Sequence, residues 1–194
     1  ARGEELARRL DALDVEHRWV ASRQPVDWRT GLPLGPPRFE RNHTRCSQFA
    51  AAACMSLEVY LLRPPEHSTY LLANAQGAWL ASEKGSREGW KPVGSALEAQ
   101  ELANQGWLVV ASYANPDPKR PGHIAIVRPE ARTAEAIAAE GPAIAQAGRE
   151  NHRRTTTAVG FRNPPGAFER GEIRYFAHGV PGLTGTPEQA RFRE

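Results

Sequence analysis

The spacing of hydrophobic positions changes character about halfway along the chain. In residues 3–14, Leu6, Leu10 and Leu13 recur at helical spacing among charges, which predicts an amphipathic N-terminal helix that packs rather than reacts. From Pro25 to Pro37 the chain is dense in Pro, Gly and Arg, with Trp28 and Phe39 as the nearby aromatic groups, so an irregular surface arm is expected. Cys46 to Leu62 is so rich in Ala, Cys, Met and Leu that it predicts a helix buried on most sides, with Cys46 in its first turn and Pro64-Pro65 ending it. A second helix is expected over 69–82. Ser95 and Glu98 form a capping-box pattern that opens a third, running through Gln105 with Gly106 as its C-cap.

Beyond Gly106 the period shortens. Trp107 to Tyr113 and His123 to Val127 are β-rich runs joined by turn residues Asn115 to Gly122, which predicts a hairpin. Ala143 to Ala147 and Ile173 to Phe176 supply two further short strands. Helices first and an antiparallel sheet after them make an α+β domain. No internal repeat or linker divides it: residues 1–41 form the N-terminal helix and arm, and 42–194 one globular unit.

Composition agrees with this picture. The chain has 194 residues, 40% hydrophobic and 24% charged, enough to bury a core without staples and unlike a disordered sequence. Its longest apolar run, Phe49 to Met55, is far below the roughly 18 residues of a membrane span, and no leader opens it. It starts Ala1-Arg2-Gly3 without Met, as a trimmed product would. A net charge of +3 favours anionic polymers without demanding one. Arg149, Arg153 and Arg154 cluster, but Glu150 interrupts them and no aromatic residues are interleaved, so they are read as a solvated face and not as a nucleic-acid site.

The chemistry rests on two cysteines. Cys46 and Cys54 lie eight residues apart in one predicted helix, about 12 Å along its axis, which excludes a disulfide. A thiol becomes nucleophilic where its thiolate is stabilised, and a helix N-terminus does this with free N–H groups and the positive end of its dipole. Cys46 has that setting, whereas Cys54, two turns deeper, is expected to be a buried hydrophobe. Backbone N–H groups at the same helix start, that of Cys46 first, suit an oxyanion. In Gly122-His123-Ile124-Ala125-Ile126-Val127 a His opens a strand after a Gly that permits close backbone approach, and from there an imidazole can face a helix start as its general base.

With Thr44-Arg45-Cys46-Ser47-Gln48-Phe49, the Gly122 to Val127 run and Ile144-Ala145-Gln146-Ala147, residues 42–151 resemble the papain-like cell-wall hydrolases, the NlpC-type peptidases and CHAP amidohydrolases. The resemblance implies an α+β papain-like fold with N-terminal helices on a small antiparallel sheet. It implies a cysteine peptidase or amidase that cuts amide bonds in peptidoglycan peptide stems through an acyl-enzyme, outside the cytoplasm. Such families orient the His by a polar residue on the next strand. That place falls on Gln146, which can accept from an imidazole N–H but cannot offset an imidazolium charge. Asn151 and Glu150 are reserves for the role, and Asn42 is a candidate oxyanion donor or cap.

The other histidines, His17, His43, His67, His152 and His178, lack metal-ligand spacing, and there is no phosphate loop, so catalysis without metal or cofactor is expected. So is a monomer, with an inhibitor protein as partner if the chain is a toxin. Two alternatives stand beside hydrolysis: a non-catalytic wall-binding module, and a Cys-dependent acyltransferase or transglutaminase on the same fold.

Overall fold

The computed structural model describes residues 1–184 and shows a mixed α+β architecture built on one six-stranded antiparallel sheet. Its elements are α1 (Arg2–Asp11), α2 (Cys46–Ser56), α3 (Leu72–Leu80), α4 (Glu83–Arg87), β1 (Lys91–Val93), α5 (Ala96–Asn104), β2 (Leu108–Tyr113), β3 (His123–Val127), α6 (Ala134–Glu140), β4 (Ala143–Gln146), β5 (His152–Thr156), α7 (Thr157–Gly160) and β6 (Arg174–His178). The strand order is β1-β6-β2-β3-β4-β5. The predicted β2–β3 hairpin sits in the middle, where Val110 faces Ile126 and Tyr113 faces His123.

Strand alternation divides the core into two layers. Ile124 and Ile126 of β3, with Ala145 and Ala147, pack against the α2 side with Phe49 and Cys54. Ala125, Val127 and Ile144 point the other way, into a cluster with Ala99 and Ala103 of α5 and with Phe161. Every residue of α2 from Cys46 to Cys54 is buried, Ser47 and Gln48 included, as its Ala-rich text predicts. Small side chains let the helix approach the sheet, and Phe49 anchors it, since full burial of such a ring is worth about 2–3 kcal/mol.

Residues 1–41 join the same core. Leu6, Leu10, Val15, Trp19 and Trp28 belong to the α2-side cluster, the Trp19 ring meets Phe49 edge-on at 5.4 Å, and Trp19 Nε1–H donates to Trp28 O at 2.9 Å. The arm is therefore irregular yet anchored by tryptophans, with Ser22 bridged to His43.

Two boundaries differ from expectation. The helix that opens at Cys46 stops at Ser56, well before Pro64-Pro65. Glu58 enters the left-handed region (φ 60°), Val59 N–H turns back to Cys54 O, and Val59 and Leu61 then bury alternate positions of the segment that follows. Leu57 to Leu62 thus follows a period of two, which composition hid. The helix expected over 69–82 is shorter and is followed by α4, whose cap is Ser82, accepting from Gly85 N–H. At α5 the expected cap is present on one side: Ser95 Oγ accepts from Glu98 N–H at 3.1 Å, while the Glu98 carboxylate reaches back to Gly94 N–H instead of to Ser95. Gly106 follows that helix at φ +91°, a conformation suited to glycine.

Candidate active site

Cys46 is the first residue of α2, and the first turn of that helix holds no acidic side chain to compete for its dipole end. Arg45 precedes it, buried, with one guanidinium N–H donated to Gln24 O at 2.6 Å and the group lying 5.8 Å from the Phe39 ring centroid. The irregular arm thereby fixes the residue next to the thiol. Cys46 itself is 8% exposed and lines a cleft of ≈ 620 Å³, whereas Cys54 is wholly enclosed.

His123 opens β3 and stands beside Cys46, close enough for each side chain to shift the other's protonation, and the two share the lining of the cleft. Its Nε2 lies 2.8 Å from Gln146 Oε1, and Gln146 Nε2–H in turn donates to Glu150 O at 3.2 Å. Because the Gln amide N–H is directed at a carbonyl, its oxygen is the end that faces the ring, so the imidazole carries its proton on Nε2 and leaves Nδ1 for the thiol. The Phe161 ring meets the imidazole edge-on at 4.7 Å. The ring is thus held by one hydrogen bond on one side and by an aromatic face on another.

Gln146 arrives there by alternation. Ala145 and Ala147 turn toward α2, so Gln146 turns to the opposite face, and the β4–β5 pairing shifts register between Ile144 and Gln146, an irregularity that re-aims a side chain. Two glycines make room. A Cβ on Gly160 would lie 2.5 Å from Gln146 Oε1, and one on Gly122 would lie 2.3 Å from Tyr113 O and 2.4 Å from Asn74 Oδ1. The Gly before the His therefore admits the end of β2 and the side chain of Asn74. That Asn pins the β2–β3 loop by accepting from Asn115 N–H at 2.9 Å and donating to Arg120 O at 2.8 Å.

The electrostatics follow from these contacts. Burial alone would raise the Cys46 thiol, but the hydrogen bond and charge of His123, with backbone N–H groups of Ile124 and Ser47 on the sulfur, bring it below the ordinary thiol value. Burial likewise opposes protonation of His123, yet Cys46 and then Gln146 raise it above the ordinary imidazole value. Cys54 has no such partners, and burial pushes its thiol far up. The two groups at the cleft thus shift toward each other, which favours a thiolate beside an imidazolium.

Among the other candidates, none bonds the imidazole. Asn151 does not reach His123: its Nδ2 donates to Val15 O, Arg18 O and Trp19 O at 2.8–3.1 Å, and its Oδ1 accepts from Gly148 N–H at 3.0 Å. Glu150 offers its backbone carbonyl to Gln146, while its carboxylate sits 3.4 Å from His152. Asn42 is exposed, and it is Thr44 from this stretch that lines the cleft. Sequence reasoning missed Phe161, Gly160 and Asn74, which carry no local motif and matter only through contacts from other elements.

These differences separate two outcomes. Gln146→Ala is expected to slow turnover about tenfold while costing about 1–2 kcal/mol of stability, the worth of its two neutral hydrogen bonds to His123 and Glu150 O. A melt and a rate on the same sample check both numbers. Asn151→Ala is expected to do the reverse in emphasis. It strands several backbone carbonyls and the Gly148 N–H, which should cost about 2–3 kcal/mol in a denaturant titration.

Against known proteins the sequence matches no family, and no curated protein matches it.

Proposed function

We propose that the protein is a papain-like cysteine hydrolase that cleaves amide bonds in the peptide stems of bacterial peptidoglycan. The observation that carries this reading is the line from Cys46 through His123 to Gln146 on the wall of an open cleft. The Cys46 thiolate attacks the scissile carbonyl carbon, and the oxyanion is met by backbone N–H at the start of α2. His123 gives its Nδ1 proton to the departing amine, leaving a thioester. It then takes a proton from water as that water attacks, and collapse releases the carboxylic acid and restores the thiolate.

The wall substrate and a site of action outside the cytoplasm rest on the likeness of the Cys, Gly-His and Gln segments to cell-wall hydrolases. No helix among the described residues is long and apolar enough to cross a membrane. Purified peptidoglycan incubated with the protein should yield new amine and carboxyl termini by mass spectrometry, and none with Cys46→Ala. Wall left unchanged by the intact protein would falsify the reading.

A further inference from the structure

On the reading that this cleft receives the substrate, we infer that it selects an anionic peptide, with Arg120, Arg149 and Arg162 as a cationic rim for carboxylates that flank the scissile amide. The three lie far apart in sequence. Arg120 belongs to the β2–β3 loop, Arg149 to the β4–β5 connection and Arg162 to the segment after α7, and all line the opening that contains Cys46 and His123. All three are exposed, and among the described residues none stands within ion-pair distance of a carboxylate.

That freedom contrasts with arginines elsewhere around the sheet. Arg128 pairs with Asp11, Arg132 with Glu130 and Glu140, and Arg154 with Glu130. The two acids of the cleft, Asp117 and Glu150, offset part of this charge, but the arginines outnumber them and the acids are turned to other partners. Glu150 faces His152, and Asp117 Oδ1 accepts from Lys119 N–H at 2.9 Å. A guanidinium fork matches a carboxylate with two parallel hydrogen bonds. A concave wall between groups that are mostly cationic also focuses their field on the bound molecule. Val159, Pro164 and Pro165 supply that wall here. A neutral peptide gains nothing from such a rim, and a cationic one is repelled.

The test is binding to the full chain carrying Cys46→Ala, which holds substrate without turnover. One probe is a synthetic peptide with three free carboxylates; the other is the same peptide with every carboxylate amidated. Calorimetry at low salt should show the acid form bound about tenfold more tightly, the preference shrinking as salt rises. R120Q/R149Q/R162Q added to that chain should bind both forms alike. R153Q, an exposed arginine outside the cleft, should keep the preference, and a thermal melt of each protein verifies the fold.

Equal binding of the two peptides, failure to bind either, or a preference that survives the triple substitution overturns the inference. Cleavage of wall without that preference removes the rim and leaves the hydrolase. Preference without any cleavage of wall does the opposite.

Discussion

Cys46→Ala is expected to abolish turnover, by on the order of ten-thousandfold or more, while the protein melts as before. In the proposed mechanism the Cys46 thiolate forms the acyl-enzyme, and removing a nucleophile leaves only the modest help of binding and oxyanion contacts. Its removal costs the fold little, because Cys46 lies at the cleft surface of an otherwise enclosed helix and a sulfur at that edge leaves no sealed cavity. Iodoacetamide provides an independent reading on the unsubstituted protein. Cys46, open to the cleft and lowered by its partners, should be carboxamidomethylated rapidly at pH 7. Cys54, enclosed and pushed up by burial, should react only on unfolding. Peptide mapping distinguishes the two sites. Equal labelling of both thiols in the native protein, or turnover by Cys46→Ala, contradicts the assignment.

His123→Ala should be nearly as severe, reducing turnover about a thousandfold, since it removes both the base and the proton donor. It also has a signature in pH. In the unsubstituted protein the lowered Cys46 thiol stays ionised below the usual thiol range, so alkylation should persist at lower pH than for an ordinary thiol and fade as pH falls through the depressed value. Turnover needs in addition a protonated His123, whose raised value extends that form upward. The rate should therefore fall on the alkaline side as pH rises through the raised imidazole value. Without His123 the burial of Cys46 persists and its main compensation is gone. The thiol should then move above the ordinary range, and alkylation at pH 7 should drop about a hundredfold while recovering at high pH. Alkylation rates across pH for both proteins test the sign directly. An unchanged profile in His123→Ala would show that the helix start alone lowers the thiol.

Parts of this site were legible in one dimension because their causes are local. A Cys in the first turn of an Ala-rich helix is near free N–H groups whatever the helix packs against, and Gly-His before Ile-Ala-Ile-Val places a ring at the mouth of a strand. Even the direction of Gln146 follows from alternation, since Ala145 and Ala147 commit one face to the core. The β2–β3 hairpin was readable for the same reason: two β-rich runs flank a turn.

What escaped has non-local causes. β1 is three residues long and holds a Pro, and β5 reads His-Arg-Arg-Thr-Thr; each is an edge strand whose pairing, not its composition, makes it one. α6 and α7 are short helices capped by Thr133 and Thr156, below the length at which apolar periodicity emerges. The early end of α2 goes with the burial of Val59 and Leu61 beyond the helix.

The sequence by itself determined an α+β chain with one cysteine at a helix start and one enclosed deeper in the same helix, a histidine at a strand start and a glutamine on the opposite side of its strand from Ala145 and Ala147, because propensity, capping and alternation act within a few residues. Only the tertiary structure decided that Asn151 serves the N-terminal segment and not the imidazole, that Phe161 and Gly160 shape the space around His123 and Gln146, and that arginines from three loops surround one opening. Those facts depend on which strands pair and how their connections fold back. Such contacts between distant residues depend on loop closure and packing, which no local pattern encodes.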